Sequence, residues 1–257
     1  MNIVADLHTH TSVSHHAYST IVEMCKGAKK AGHIALGTTD HGPALQDGAH
    51  QWHFQSLEMF IPRILEGVYV LRGAEANILQ PDGRLDIPDH VLDTLDYVVA
   101  SIHNETFLER DPDRITEIML KVLENPRIDI LGHLGAPIFK FDYETLISKC
   151  NEYDKVVEVN NNSFYARKGS KENCLEIAKL CKKYDVPISV NSDAHFCLGV
   201  GKIDRAQGII EAADFPEELI INASAENLQK YFMRKKGLDI LGEIEKAKES
   251  GEFNTLD

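Results

Sequence analysis

The sequence predicts a parallel α/β barrel, and two observations carry that expectation. Apolar strand-like runs and helix-like segments alternate about seven times along the 257 residues, the pattern of parallel strands wrapped by helices. Histidines and acids then stand just past the ends of those runs, in DLHTH, TTDHG, GAEAN, SIHNE, LGHLG and NSDAH. A barrel gathers its functional groups on that rim. An open doubly wound sheet shares the alternation, but its single crevice has no need of polar groups at nearly every strand end.

Taken in order, the strand runs are 3–7, 34–39, 68–74, 97–102, 128–132, 156–160 and 187–191, each short and apolar. Helix-like segments lie between most of them, at 20–30, 54–65, 114–123, 144–153 and 171–184. Beyond Cys197 come a helix at 204–212, a short apolar run at 219–221, and helices at 225–234 and 238–248. No linker, low-complexity tract or repeat divides the chain, so residues 1–257 are expected to form one domain, with the helices from about 202 packed on the barrel.

Composition narrows the function. With 43% hydrophobic and 26% charged residues the chain can bury a large core. It has no apolar stretch near the ~20 residues that cross a bilayer, and MNIVADLHTH lacks the basic and apolar regions of a leader, so a cytoplasmic protein without a membrane partner is expected. Cys25, Cys150, Cys174, Cys181 and Cys197 are odd in number and form no CxxC pair, which fits a reducing compartment and not a thiolate metal site. Cys174 and Cys181 share a helical stripe with Ile177 and Ala178 and read as core. The net charge of −13 excludes a nucleic-acid backbone as the main partner, because no basic patch is there to displace counterions. A small anion is allowed if metal ions supply the positive field locally. A homo-oligomer is left open: the apolar stripe at 238–244 could serve one, though burial against the barrel explains it as well.

The chemistry starts at DLHTH. His8 and His10, two apart on an extended stretch, point the same way and make a chelating pair. Asp193 and His195 repeat that spacing in NSDAH. The full candidate set is His8, His10, His16, His41, Glu75, His103, His133, Asp193 and His195. Imidazole and carboxylate without thiolate suit zinc, manganese or iron. Nine donors exceed what one tetrahedral ion uses and suit two or three ions, particularly with Glu75 bridging a pair. A lone histidine past a strand, such as His133, is ordinarily a satisfied capping residue; seven of them at equivalent rim positions point the other way. A buried acid at Glu75 without a cation would be costly. His15, His33, His50, His53 and His90 lie in helix- or loop-like contexts and are not expected to touch metal, although spacing alone does not separate His15 from His16.

The segments DLHTHT, HAYST, TTDHG, GAEAN, SIHNE, LGHLG, EVNNNSF and NSDAH, over residues 1 to 200, together resemble the PHP (polymerase and histidinol phosphatase) family. HQWHF, IPRILEGVYVLRGAEAN and NNSFYARKGSKENC are similar, more particularly, to its small stand-alone phosphatases of the YcdX type. The resemblance implies a distorted (β/α)7 barrel with three divalent ions, commonly zinc, at the C-terminal rim, and phosphoesterase activity. It selects His16, which directly precedes Ala-Tyr-Ser, over His15. It further implies one ion on His8, His10, Glu75 and Asp193, a second on Glu75, His103 and His133, and a third on His16, His41 and His195.

Three divalent ions against two carboxylates would make a positive pocket for a small phosphate monoester, with in-line attack by a metal-bridging hydroxide as the expected reaction. Glu75 and Asp193 are then the acids of the catalytic centre. Arg167, with Lys168 beside it, is a candidate phosphate clamp in the loop after the sixth strand, where a solvated basic loop is the plainer alternative. Asp6 and Asp40 are candidates to orient ligand imidazoles. Three alternatives stand beside this expectation: a two-metal amidohydrolase, which would not need His16, His41 and His195; a histidinol-phosphate phosphatase; and a non-catalytic barrel of the kind found inside larger polymerases, which would have no chemical need for nine ligands.

Overall fold

The apolar runs become a parallel sheet that curls into a barrel. The computed structural model describes residues 2–256. Its strands are β1 (Ala5–Asp6), β2 (Ala35–Thr38), β3 (Ile64–Leu65), β4 (Val68–Asn77), β5 (Tyr97–Ser101), β6 (Ile130–Leu131), β7 (Val156–Asn160) and β8 (Ile188–Asn191). They pair in the order β1-β2-β4-β5-β6-β7-β8, all parallel, with β3 set antiparallel on β4. The seven parallel strands are the seven expected, and the sequence-based barrel is the observed one.

Helices fill the crossovers where the sequence supplies caps. In α1 (Ile21–Lys30) Thr20 accepts from the Glu23 amide while Glu23 reaches back to the Thr20 amide, and Lys29 and Lys30 close the last turn. α4 (Pro112–Glu124) begins with Asp111 as cap and Pro112 in the first turn. α7 (Ser170–Lys183) buries Cys174, Ile177, Ala178 and Cys181 on one face, the stripe expected from spacing. α8 (Asp204–Ala213) packs beside it.

Two segments differ from the sequence reading. The helix expected over 54–65 runs instead over Gln51–Phe60 (α2), and Ile64 and Leu65 turn back on Val68 and Tyr69 as a hairpin. Glu66 and Gly67 both take positive φ, the backbone that a two-residue hairpin demands. The helix expected over 144–153 stops after Tyr143–Ile147 and unwinds through turns to Asp154.

The core has two layers. Outside, residues of α4, α7 and α8 pack on β6, β7 and β8 around Ile118, Ile147, Ile177 and Ile209. Inside, Leu7, Leu71, Tyr97, Val99, Ile130 and Val156 fill the barrel. The bottom is closed by α9 (Ala225–Lys236), whose Phe232 meets Tyr97 edge to face at 5.7 Å. α10 (Ile240–Ser250) continues that plug: Leu238, Ile240 and Ile244 pack on the same cluster, so the stripe that could have served an oligomer faces the barrel. Tyr97 also sets the height of the first ligand segment, since its hydroxyl donates to the Leu7 carbonyl at 2.7 Å. Gly37 makes room for that hydroxyl; a β-carbon there would lie 1.8 Å from it.

Between β8 and β1, among the described residues, side chains replace the strand ladder. Asn222 wedges into the seam: its amide donates to the carbonyls of Ala5 (2.8 Å) and Val190 (2.7 Å), and its oxygen accepts from Val190 N–H at 3.1 Å. Its own carbonyl takes the Val4 amide at 2.9 Å. Asn222→Ala is expected to lower unfolding stability by about 2–4 kcal/mol, because three buried backbone groups lose their partners; urea denaturation measures it, and an unchanged midpoint would show that the seam is held elsewhere.

Candidate metal centre and its relatives

All nine residues expected at the rim come together there. Glu75, in the tenfold run of β4, is the hub. Its Oε1 lies 3.4 Å from His8 Nε2, 3.4 Å from His103 Nε2 and 2.9 Å from His133 Nε2, and its Oε2 lies 2.6 Å from His41 Nδ1 and 3.7 Å from His10 Nε2. Asp193 Oδ1 stands 3.1 Å from His10 Nε2, 3.8 Å from His8 Nε2 and 3.5 Å from His195 Nδ1. His16 Nε2 is 2.9 Å from His195 Nε2, and its ring lies 5.0 Å from that of His41. His8 and His10 are wholly buried, whereas the His16 side chain is 46% exposed, so the cluster runs from the barrel interior to its mouth.

Most of these atoms face one another without hydrogen bonding. His8 Nε2, both nitrogens of His10, His41 Nδ1, His103 Nε2, Glu75 Oε2 and Asp193 Oδ1 are buried and unpartnered. Buried polar atoms are nearly always satisfied, and six of these seven, all but His10 Nδ1, face one another in the contacts above and fit cations held between them. Three groups have donor atoms within 4.8 Å of each other: His8, His10 and Glu75; His41, Glu75 and His103; His10, His41 and His195. Nitrogen and carboxylate donors of this kind suit borderline divalent ions.

Second partners fix most of the rings. His103 Nδ1 lies 2.7 Å from Asn77 Oδ1, and Asn77 is held in turn by Asp86 at 2.6 Å. His16 Nδ1 meets Asp47 at 2.5 Å, and His195 Nδ1 meets the Asp193 carbonyl at 3.0 Å. His8 Nδ1 meets Glu158 at 2.7 Å. Asn160 and Asn162 donate to the far oxygen of Asp193, at 3.1 and 3.4 Å. Glu158, Asn77, Asn160 and Asp47 were not singled out from the sequence. For Glu158 a signal existed: an acid inside the apolar VVEVN, where period two puts it on one face with Val156, which lines the barrel.

Asp6 and Asp40 do not orient ligand imidazoles. Asp6 accepts from the Ser192 hydroxyl and amide and from Gly201 N–H at 2.9 Å, which fixes the segment carrying Asp193. Asp40 accepts from the Thr11 amide (2.8 Å), the Thr11 hydroxyl (2.7 Å) and the Ser14 hydroxyl (2.8 Å), and pairs with His53 at 3.2 Å. It fastens the loop that leads to His16. His50 caps α2, and neither it nor His53 joins the cluster.

Electrostatics follow the packing. Burial pulls His10 down to about 3 and His133 down to about 4, Arg167 adding to the latter, so both are neutral at pH 7 with lone pairs free. Burial also works against a charged His8, but the carboxylates of Glu158, Glu75 and Asp193 override it and hold that imidazole well above its usual value. Burial would raise Glu75 and Asp193, yet the surrounding imidazoles keep both well below the ordinary carboxylate range. Above the cluster opens a cavity of about 1040 Å³, lined by His16, His41, Glu75, His103, Asp193 and His195, and also by Arg167 and Lys202. Arg167 caps the short α6 (Ser163–Ala166) and contacts Ser163 Oγ at 3.3 Å. Lys168 is exposed and is not part of the lining.

Residues 6–240 match the family described as the PHP domain. The chain belongs to the PHP domain family. Two relatives of this PHP domain carry the name "probable phosphatase": one from Clostridium botulinum (strain Hall), 42% identical over 235 residues that span 91% of this chain and 96% of its own, and one from Acetivibrio thermocellus, 43% identical over 236 residues that span 92% and 98%. The phosphatase expectation agrees with them. Among solved structures the fold resembles a histidinol phosphate phosphatase from Lactococcus lactis, described in complex with zinc, L-histidinol and phosphate. That likeness has a TM-score of 0.54 at 15% identity and covers 82% of this chain and 94% of the other. Among the described residues no helix is long and apolar enough to cross a membrane.

Two outcomes follow from the geometry. Glu75→Gln is expected to release a larger share of bound metal than His16→Ala, because Glu75 faces five histidines and His16 stands at the edge; elemental analysis after gel filtration measures both. Because His8 and His41 have raised values while a ligand nitrogen must be unprotonated, metal binding at pH 7 is expected to release protons and to strengthen as pH rises. Calorimetry in two buffers of different ionisation enthalpy reads that proton count directly, and zero release would contradict it.

Proposed function

We propose that this protein is a metal-dependent phosphoric monoester hydrolase acting on a small phosphorylated substrate, with three divalent ions at the barrel rim. The observation that carries the reading is Glu75, one buried carboxylate with nitrogens of five histidines 2.6 to 3.7 Å from its oxygens. In this reading His8, His10, Glu75 and Asp193 would hold one ion, Glu75, His103 and His133 a second, and His16, His41 and His195 a third. Zinc suits the donors, and manganese and iron share the preference. When bound, the ions supply a positive field for the phosphate dianion and make a water nucleophile available near neutral pH.

The chain's own groups do the rest. His10 and His133 stay neutral through burial, so they can bind without first shedding a proton. Asn160 and Asn162 fix the orientation of Asp193. Arg167 brings a planar cation to the wall of the cavity, where it can grip phosphate oxygens in a forked hydrogen bond, and Lys202 adds a second positive charge to the lining. A cavity of about 1040 Å³ leaves room for a leaving group beyond the phosphate itself. His16, His41 and His195 separate this reading from a two-metal amidohydrolase, which would leave them without work. The C-terminal helices belong to the same domain in this reading, because α9 and α10 share the cluster that fills the barrel floor. Five cysteines without disulfides, four of them buried, support a cytoplasmic setting.

Hydrolysis of 4-nitrophenyl phosphate by protein reloaded with zinc or manganese tests the proposal. His10→Ala and Asp193→Ala are expected to lower kcat/KM by about 100-fold or more, the scale of losing a charge-stabilising group. Arg167→Ala is expected to raise KM by about tenfold, the scale of a lost charged hydrogen bond. Equal turnover in the wild type and in the first two variants would refute the assignment.

A further inference from the structure

Strand β7 carries an acid that the proposed reaction gives neither ion nor substrate. Glu158 is buried, and its four hydrogen-bonding contacts come from His8, Asn191, His133 and Asn160. Oε1 faces His8 Nδ1 at 2.7 Å and Asn191 Nδ2 at 2.9 Å; Oε2 faces the His133 backbone N–H at 2.9 Å and Asn160 Nδ2 at 3.2 Å. His8 and His133 belong to the ligand sets of two different ions, and they arrive from the ends of β1 and β6. We propose that Glu158 is a positioning residue of the metal centre: it holds His8 with Nδ1 protonated and Nε2 turned toward Glu75 and Asp193, and it holds the His133 backbone where that imidazole reaches Glu75. The inference rests on the metal-centre reading above and is independent of which phosphate ester is hydrolysed.

The His8 half of the argument concerns which nitrogen keeps a proton. An imidazole that binds metal through one nitrogen keeps its proton on the other, and an acceptor there selects the tautomer and fixes the ring plane. Among the described residues Glu158 is the only carboxylate within 4.0 Å of His8 Nδ1; Glu75 and Asp193 both lie on the Nε2 side. Without that acceptor, a proton on Nε2 could point at Glu75 Oε1, only 3.4 Å away, and His8 would then be satisfied inside the protein and lost as a ligand. Glu158 therefore chooses between a ring that presents a lone pair and one that presents a proton.

The His133 half concerns the backbone. His133 has φ of 29°, in the left-handed region that a residue with a β-carbon rarely takes and that costs on the order of 1–3 kcal/mol. Its N–H donates to a carboxylate, a charge-assisted bond that is stronger than one to a neutral acceptor and offsets part of that cost. The same carboxylate thus links two ligands across strands whose own ladders are short, since β1 and β6 have two residues each. A purely structural role, in which Glu158 only stitches β7 to Asn191 on β8, would leave metal affinity indifferent to it.

Glu158→Gln separates these roles, because the amide keeps the size of the side chain but turns a donor toward one pair of donors. Zinc affinity of the metal-free protein, measured by competition with a chromophoric chelator, is expected to fall by about 10- to 100-fold, the range seen for partners of ligand histidines. In a His8→Ala background the same change is expected to cost much less, because the two residues act as a unit. Unchanged affinity with a lowered Tm, or an equal loss in both backgrounds, would overturn the proposal. Should Glu158→Gln not fold, zinc-loaded wild type labelled with 15N in its imidazoles answers the same question. A protonated Nδ1 and a zinc-bound Nε2 on His8 support the assignment, and the reverse arrangement overturns it. Absence of zinc binding by the wild type would sink the metal-centre reading as well, which distinguishes that failure from this one.

Discussion

Glu75 is the constraint around which the rim is built. A carboxylate that is almost wholly buried pays several kcal/mol in lost hydration unless charge or hydrogen bonds replace the water. Here the replacements are imidazoles carried by other segments: His8 and His10 beyond β1, His41 beyond β2, His103 beyond β5 and His133 beyond β6. None of those segments is near Glu75 in sequence, and all are near it once parallel strands stand side by side around a barrel. The length of β4 serves this arrangement. Ten residues long, it runs past the end of β2, so that Glu75 faces His41 across an isolated bridge while Asn77, two residues on, reaches His103.

Much of this was legible in the chain because the signals are short-range and repeated. Seven apolar runs, each ending in a polar group, locate the strands and their C-terminal ends, and the strand positions follow within a few residues. The errors fall where local pattern is ambiguous. Ile64 and Leu65 continue the apolar spacing of α2, yet Pro62 before them and the paired positive φ of Glu66 and Gly67 after them make a hairpin. What no local pattern reveals is how the ring closes. Asn222 does so by imitating a strand edge with its side-chain amide, and an asparagine in the turn before α9 carries no mark of that task. Glu158 and Asn77 were missed for a related reason: each touches the ring of a single histidine of the cluster and does not face its centre, and only the folded barrel shows which imidazole each one meets.

The reading of Asp6 and Asp40 illustrates the limit of proximity in sequence. Each stands beside or near a ligand histidine, and adjacency suggested that each would orient an imidazole. Neighbours along an extended chain point to opposite faces, however, so Asp40 is poorly placed to touch the adjoining His41, and Asp6, although it shares the face of His8 two residues on, is taken up by other partners. Asp40 instead gathers Thr11 and Ser14, and Asp6 gathers Ser192 and Gly201. Both acids act on the segments that carry His16 and Asp193. The partners that do meet imidazoles, Glu158 and Asn77, come from strands remote in sequence.

The loop fastened by Asp40 gives the cluster its direction. His8 and His10 lie at the buried end on segments fixed by strand pairing and by the Leu7 carbonyl's bond to Tyr97. His16 lies at the open end, on a turn whose hold on the barrel passes through Thr11, Ser14 and the Asp40 carboxylate, and its imidazole leans on Asp47. From mouth to floor the cavity therefore runs from His16, the most exposed of the cluster, to the buried Glu75 and Asp193, with Arg167 and Lys202 also in its lining. For a chain of net charge −13 the sign of the local field matters. The cavity lining itself holds Asp47, Glu75, Glu105, Asp193 and Asp204 against Arg167 and Lys202, so in the proposed reading the positive field that an anionic substrate needs would come from the bound ions and not from the side chains.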